Sequence, residues 1–387
     1  MAATPQERSS ALRFIVCLGV VSLFADITYE GARSILGPFL KDLGASATQV
    51  GLIAGLGEMF AASLRLFSGK LADRTRAYWP ITIVGYLINV IVVPALAFVG
   101  SWQAAALLVI AERTSKSVRA PARDVLLSEA TAKVGHGWGF GLHAAMDQTG
   151  AVIGPLFVAA AVARSHHFAS AFLGLGLPAA AAVVALMLAR AFNPSHGTPA
   201  PLIEDQQKLP KVFWTYIAAA GLLACGFVDF PLLSYHFQNA ALAKPAVIPF
   251  LYAGAMATNG ITALLFGKLF DRFGLATLSL GILVSVLALP LGFLGGSYAA
   301  MASVACWATG LGVQDATLRS GISQVVSMNK RGSAFGIFNG VYGVAWFIGS
   351  ATMGLLYDRS VISLVVFGMV AQLGAAIMFF RLRRKLQ

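Results

Sequence analysis

The 387 residues are 58% hydrophobic and only 11% charged, and their mean hydropathy is +0.76. This composition excludes an ordinary soluble globular protein and predicts a chain that lies in a lipid bilayer. The net charge of +12 does not indicate binding to nucleic acid, because the basic residues stand at the ends of apolar segments and not in a soluble domain.

The first apolar segment contains a charged patch. Asp26, Tyr29, Glu30 and Arg33 follow one another at i, i+3, i+4 and i+7, so they share one face of a helix. An ionisable side chain at membrane depth costs roughly 2.5–3.5 kcal/mol, and such residues are therefore usually kept for a function. The patch predicts a site that faces protein or water and not lipid.

Further charges lie within the second and fourth apolar segments. Glu58 stands near the middle of its segment, where it either pairs with Arg33 or Arg113 or takes up and releases protons. A buried Arg113 needs a carboxylate partner, for which Glu58 and the acids of the first and fifth segments are candidates. We expect Lys116, Arg119 and Arg123 to form a basic belt at the membrane surface.

Four residues of the fifth segment share one helical face: His143, Asp147, Gly150 and Gly154. The glycines predict close helix packing, and His143 with Asp147 forms a second titratable pair. Together with polar residues of the seventh segment, this face offers ligand types for a soft or borderline metal. No ligand cluster of defined spacing is present, however, and we expect no metal site.

The C-terminal part carries fewer charges and more aromatic residues. Asn339, Tyr342 and Trp346 share one face of the eleventh segment, and the seventh segment contains Asp229 and His236. Aromatic rings with an amide suit the wall of a cavity for an apolar or amphipathic ligand. Ordinary helix packing explains the same pattern equally well.

The apolar segments predict twelve membrane-spanning helices of about 20 residues each. A polar, proline-containing stretch at 192–211 separates the sixth from the seventh, which predicts N-terminal and C-terminal bundles of six helices at 1–191 and 212–387. Lysine and arginine cluster in alternate loops. The positive-inside rule therefore places both termini and the linker in the cytoplasm.

The two halves repeat one another. Gly69-Lys-Leu-Ala-Asp73-Arg74 recurs as Gly267-Lys-Leu-Phe-Asp271-Arg272, and Phe24-Ala-Asp26 recurs as Phe227-Val-Asp229. Phe140-Gly141 followed by Gly154 matches Phe335-Gly336 followed by Gly349, and the order is the same in both halves. Such internal repeats are typical of secondary transporters.

These motifs resemble the major facilitator superfamily over essentially the whole chain. The segment Gly69 to Arg74 is similar to the family signature between the second and third spans. Gly150 to Gly154-Pro155 is similar to the glycine and proline motif of proton-coupled antiporters in the drug-exporter branch, and the segment from Arg113 to Asp124 resembles a bacterial subgroup.

The resemblance implies an all-α membrane protein, with twelve transmembrane helices in two pseudo-symmetric six-helix bundles, in a bacterial inner membrane. It also implies a cytoplasmic gate, for which the matching residues here are Gly69, Asp73, Arg74, Arg123, Asp271 and Arg272. The central site is expected between the two halves and is reached alternately from each side.

The function expected is proton-coupled export of a small amphipathic organic compound by alternating access. An importer of a metabolite, a metal ion or a metal chelate is the alternative, and a receptor or enzyme on the same scaffold is an alternative of another class. No nucleophile with an adjacent base is recognisable, so we do not expect an enzyme. The expected partners are the substrate, protons and the bilayer, with no cofactor, and the chain is expected to be a monomer.

Overall fold

The computed structural model describes residues 4–192, 209–326 and 331–386, except for a few side chains within them. All regular elements among these residues are helical. The α-helices are α1 (Pro5–Asp42), α2 (Ala47–Thr75), α3 (Tyr78–Ala95), α4 (Trp102–Val134), α5 (His136–Ser165), α6 (Phe168–Gly174), α7 (Gly176–Phe192), α8 (Lys211–Gly226), α9 (Phe230–Asn239), α10 (Val247–Phe273), α11 (Ala276–Val286), α12 (Ala288–Leu294), α13 (Ser297–Val325), α14 (Arg331–Arg359) and α15 (Val361–Leu386). A short 3-10 helix, Leu96–Phe98, follows α3.

The helices supply the predicted twelve spans, three of which are built from two α-helices each: α6 with α7, α8 with α9 and α11 with α12. Among the described residues, ten helical segments are long and apolar enough to cross a membrane by length and composition. The other two spans are α4 and α13. They are long enough, but they carry more polar residues, and they occupy matching places in the two halves.

Several helix ends follow from local sequence. Ser101 caps α4 by accepting a hydrogen bond from the backbone N–H of Ala104 at 3.4 Å. Helix α4 ends at Gly135, whose φ of 107° is readily adopted only by glycine, and α10 ends in the same way at Gly274 with φ of 57°.

The described chain falls into two units by its internal contacts. The first unit consists of Met1–Ile35 and Ser63–Ala200, and the second of Leu36–Ala62 and Pro201–Gln387. The core of the first unit joins α1, α3, α4 and α7, with the rings of Phe14 and Trp79 edge to face at 6.1 Å.

The core of the second unit joins α8, α10, α11, α13, α14 and α15. Tyr216 is fully buried at its centre, packs edge to face on Phe379 at 5.4 Å, and donates a hydrogen bond to the carbonyl of Leu318 at 2.6 Å. The hydroxyl therefore has a partner although it is removed from water.

The segment Leu36–Ala62 contacts the rest of the second unit through α14. Both carboxylate oxygens of Asp358 accept hydrogen bonds from the start of α2, from the backbone N–H of Ala47 at 3.2 Å and of Thr48 at 2.8 Å. An acid that accepts from free N–H groups at a helix N-terminus satisfies donors that have no partner within the helix. The start of α2 is thus held to the end of α14 within the second unit.

The predicted boundaries at 191 and 212 stay a prediction. The linker expected at 192–211 lies mostly outside the described residues, which resume at Leu209. The seventh span is not one continuous helix. The backbone leaves the helix at Phe227–Asp229 and starts a new helix at Phe230.

Candidate functional site

The charged patch of α1 is matched by a lysine on α4. The Lys116 ammonium lies 3.6 Å from a carboxylate oxygen of Asp26 and 4.0 Å from one of Glu30. The Lys116 side chain is 32% exposed, whereas those of Asp26 and Glu30 are 16% and 13% exposed. Two carboxylates in the first unit therefore share one cation.

Tyr29 lies at the centre of this group. The Lys116 ammonium stands 3.5 Å from the centre of its ring, and the Arg113 guanidinium carbon stands 4.6 Å from it. A guanidinium nitrogen of Arg33 donates to the Tyr29 hydroxyl at 3.4 Å. The ring thus attracts cations at its face through its π electrons and at its hydroxyl through a hydrogen bond.

Arg113 is 4% exposed, and its Nε lies 3.7 Å from the carboxylate of the adjacent Glu112. Glu112 is also buried and was not among the expected partners of Arg113. The predicted pairing of Glu58 with Arg33 or Arg113 stays a prediction. Glu58 belongs to the second unit, and it is half-buried in α2.

A second polar group of the first unit contains His143, Asp147, Arg123 and Ser22. Arg123 donates to Ser22 Oγ at 2.9 Å, and the same oxygen lies 2.9 Å from His143 Nε2. In this contact the donor is the Ser22 hydroxyl or the His143 ring N–H, according to the tautomer of the ring. Nδ1 in turn lies 3.6 Å from the carboxylate of Asp147.

The predicted role of Gly150 and Gly154 in close packing is supported by the structure. A Cβ atom at Gly150 would collide with the carbonyl of Leu23 on α1, and one at Gly154 would collide with the carbonyl of Ile27. The repeat has the same geometry in the second unit, where a Cβ at Gly349 of α14 would collide with the carbonyl of Cys225 on α8. Pro155 follows Gly154 within α5.

The break in the seventh span frees backbone carbonyls, and polar side chains bind them. Gln372 of α15 donates to the carbonyl of Gly226 at 2.9 Å, and the indole N–H of Trp307 on α13 donates to the carbonyl of Val228 at 2.8 Å. Irregular backbone at membrane depth requires such partners, because lipid offers none. The break is therefore a fixed feature of the second unit.

Asp229 stands at the break, immediately before α9, and is 2% exposed. Its Oδ2 accepts a hydrogen bond from the indole N–H of Trp346 at 2.9 Å. The Trp346 ring lies against Tyr342, whose hydroxyl donates to Gln314 on α13 at 2.7 Å. Asp229, Trp346 and Tyr342, which the sequence predicted together, thus form one connected group at the start of α9 and on α14, joined to α13 through Gln314.

His236 lies apart from that group. It stands seven residues after Asp229, about 10 Å along the helix axis. Its Nδ1 is 2.8 Å from the hydroxyl of Tyr357, and its ring packs on Phe293. Asn339 is half-buried on α14. The structure therefore joins three of the five predicted cavity residues of the second unit and places His236 in a separate cluster.

Three of the predicted cytoplasmic gate residues lie at helix ends, whereas Arg123 lies within α4 and donates to Ser22. Arg74, Asp271 and Arg272 are exposed at the ends of α2 and α10, whereas the side chain of Asp73 lies outside the described residues. A Cβ at Gly69 would meet Pro121 at an ordinary 3.6 Å. The described packing at this position does not require a glycine. The gate itself stays a prediction.

Two residues assigned to the surface belt have other positions in the structure. Lys116 contacts Asp26 and Glu30, as described above. Arg119 is 2% exposed, with its guanidinium 4.5 Å from the centre of the Tyr86 ring and a hydrogen bond to Ser115 Oγ at 3.3 Å. The expectation that Arg119 lies in the belt was wrong, because its side chain packs between α3 and α4.

Sequence reasoning also missed Ser22, Trp307, Gln314 and Gln372. Each is a polar side chain whose partner lies on a distant helix, and a spacing rule within one helix does not find such pairs. Within the described ranges, no group of three or more His, Cys, Asp or Glu is placed to hold a metal ion.

Comparison with known proteins identifies the family to which the chain belongs. The family model described as Major Facilitator Superfamily matches residues 18–350. An uncharacterized protein of Mycobacterium tuberculosis, Rv2265, is 40% identical over 383 residues, which cover 97% of this chain and 94% of that protein. An uncharacterized MFS-type transporter of Methanocaldococcus jannaschii is 30% identical over 140 residues, 36% of this chain and 35% of that protein.

Solved structures share the fold. The nucleoside transporter NupG superposes with a TM-score of 0.71 at 13% identity, covering 96% of this chain and 98% of that one. A POT family transporter in complex with 5-aminolevulinic acid superposes with a TM-score of 0.77 at 12% identity, covering 97% of both chains. At these identities the likeness concerns the fold, which confirms the predicted all-α, twelve-helix architecture.

Proposed function

Because the chain belongs to the Major Facilitator Superfamily, and is thus an integral membrane transporter and not an enzyme, we propose that it exports a small amphipathic organic compound in exchange for protons. The observation that carries this proposal is the sharing of Lys116 by Asp26 and Glu30. The fold supplies alternating access, and the shared lysine supplies the coupling.

A shared cation allows one acid to change its charge at low cost. When one carboxylate takes up a proton, the Lys116 ammonium keeps the other as its partner, so neither charge is left buried and unpaired. Leaving a buried charge without a partner typically costs about 3–5 kcal/mol, and the arrangement avoids that cost. The partial exposure of all three side chains gives protons a path to them.

His143 and Asp147 extend the path along α5. His143 Nδ1 faces Asp147, and Ser22 and Arg123 hold the ring from the other side. A histidine beside a carboxylate is suited to pass a proton between them. We assign to this group the transfer of protons toward or away from Asp26 and Glu30.

In this proposal the second unit binds the substrate. The Asp229, Trp346, Tyr342 group combines a carboxylate with aromatic rings, which suits a compound with a cationic or hydrogen-bonding end and an apolar body. The broken span supports this role, because discontinuous helices form substrate sites in many transporters. Asn339 lies on the same helix as Tyr342 and Trp346.

The proposed orientation places both termini in the cytoplasm of a bacterial cell. Basic residues are exposed near the end of α2, directly after it and at the end of α10, namely Lys70, Arg74, Arg76, Lys268 and Arg272. Positive residues concentrate on the cytoplasmic side of inner-membrane proteins. A green fluorescent protein fused to the C-terminus tests this, because it fluoresces only when it folds in the cytoplasm. The fusion should be fluorescent. A well-expressed fusion without fluorescence would show the opposite orientation.

Transport in sealed proteoliposomes tests the proposal. A panel of cationic and neutral amphipathic compounds is presented with and without an imposed pH gradient, and at least one should accumulate in a gradient-dependent way. Asp26→Asn and Glu30→Gln should remove that dependence, whereas Glu7→Gln, which changes an exposed acid near the N-terminus, should keep it. Gradient-independent flux of every transported compound would overturn the coupling.

A further inference from the structure

A groove between α11 and α15 on the second unit carries an inference independent of the transport cycle. It has a volume of about 350 Å³, within the range of ligand pockets. Its lining is almost entirely apolar, and the exceptions are Ser279 on α11 and Arg381 on α15. We propose that it binds one acyl chain of an anionic phospholipid, whose headgroup is held by Arg381.

The floor of the groove is made by small residues. Ser279 donates a hydrogen bond to the carbonyl of Ala376 at 3.0 Å, which holds the two helices together at this level. Ser279 and Ala376 are 7% and 5% exposed. Small side chains at a helix contact let the backbones approach closely, and larger neighbours then stand on either side as walls.

The walls are long apolar side chains that remain exposed on the protein surface. Leu283 of α11 is 51% exposed, and Leu373, Ile377 and Phe380 of α15 are 36%, 53% and 45% exposed. The three residues of α15 share one helical face with Ala376. Within a bilayer such a face contacts lipid chains, so a chain that follows the groove is enclosed on three sides.

The length of the groove suits an acyl chain. Leu373 to Arg381 is eight residues, about 12 Å along the helix axis. One leaflet contributes about half of the roughly 30 Å hydrocarbon core. The apolar span within α15 ends at Arg383, so Arg381 lies at the level where lipid headgroups begin.

Charge selects the headgroup. Neither α11 nor α15 contains an aspartate or glutamate, whereas Arg383, Arg384 and Lys385 follow Arg381 in sequence. Arg381 is exposed at the open end of the groove. Each basic residue at the membrane surface contributes about 1 kcal/mol to attraction of anionic lipid, and basic pockets between spans bind anionic headgroups. A zwitterionic lipid would not gain that attraction.

The test uses the full-length protein in detergent with added phosphatidylglycerol or phosphatidylcholine, and measures the apparent melting temperature and the number of bound lipids by native mass spectrometry. Phosphatidylglycerol should stabilise the wild type at lower concentration than phosphatidylcholine. Arg381→Gln should weaken that preference about fivefold. Arg381→Lys should retain most of it, because the positive charge is kept.

Two further variants separate the groove from general surface charge. Arg190→Gln removes an exposed arginine from the last turn of α7, at the end of the sixth span, and should leave the lipid preference unchanged. Leu373→Trp fills the groove while leaving Arg381 in place, and should abolish the preference. Equal stabilisation of the wild type by both lipids, an equal loss in Arg190→Gln and Arg381→Gln, or full replacement of the lipid by soluble glycerol phosphate would each overturn the proposal.

Discussion

Asp26 and Asp229 occupy matching positions of the internal repeat, but they lie in different chemical surroundings. Asp26 stands in a continuous helix and shares the Lys116 ammonium with Glu30. Asp229 stands where a helix is broken, is 2% exposed, and accepts a hydrogen bond from the uncharged indole of Trp346. The same repeat position thus pairs with a lysine in one unit and accepts a hydrogen bond from an indole in the other.

One difference in sequence accompanies the break in only one of these helices. Phe24-Ala-Asp26-Ile27-Thr28 in α1 aligns with Phe227-Val-Asp229-Phe230-Pro231, so proline replaces threonine two residues after the aspartate. Proline has no N–H to donate to the preceding turn, and its ring displaces that turn from helical geometry. It is tolerated in the first turn of a new helix, which is where Pro231 lies. The difference between the two sites therefore begins in the backbone.

Exchanging these two residues gives the largest expected effect. Thr28→Pro introduces the break into α1, where the threonine is fully buried, and should cost about 3 kcal/mol or more of unfolding free energy. Pro231→Ala is the matched change in the other unit and should cost less, because Gln372 and Trp307 still bind the freed carbonyls. Thermal unfolding of both variants measures this, and an equal loss would mean that the proline does not set the difference.

The hydrogen bond from Trp346 to Asp229 gives the next effect. Trp346→Phe keeps the aromatic ring but removes the indole N–H, so Asp229 loses one donor. Hydrogen bonds to charged groups contribute about 1.5–3 kcal/mol, and a loss of that size is expected in unfolding experiments. Substrate affinity should fall as well, while the dependence on the pH gradient stays. A variant that loses the gradient dependence would assign coupling to the second unit.

The matched glycines test where the two units are alike. Gly154→Ala and Gly349→Ala each add a methyl group against a backbone carbonyl of a neighbouring helix, and each should cost about 1–3 kcal/mol. Gly69→Ala is the control, because ordinary contact distances surround that position, and it should be close to neutral. Unequal losses at Gly154 and Gly349 would show that the repeat is not equivalent in packing.

Much of this comparison was predictable from sequence, because it depends on patterns within single helices. The apolar lengths predicted the spans, the spacing of Asp26, Tyr29 and Glu30 predicted one polar face, and the repeat predicted the pairing of Gly154 with Gly349. Each of these follows from helical periodicity or from order along the chain.

The remaining contacts were not predictable from sequence, because they depend on which helices pack against one another. Lys116 belongs by spacing to a series of basic residues on α4, and only the packing of α4 on α1 shows that its side chain reaches Asp26. The partners of the broken span, Trp307 and Gln372, are single residues on distant helices and have no sequence signal. The break itself did have a sequence signal, because Pro231 stands inside an apolar segment.

The central claim is that the first unit couples protons and the second binds substrate, and one transport experiment tests it most directly. Gradient-driven accumulation and counterflow exchange are measured in the same proteoliposomes for Glu30→Gln and Asp229→Asn. Coupling free energies are typically 1–3 kcal/mol, so Glu30→Gln should reduce accumulation about 5- to 150-fold and leave counterflow intact. Asp229→Asn should lower the apparent affinity in both assays. Accumulation that persists in Glu30→Gln and disappears only in Asp229→Asn would contradict the claim.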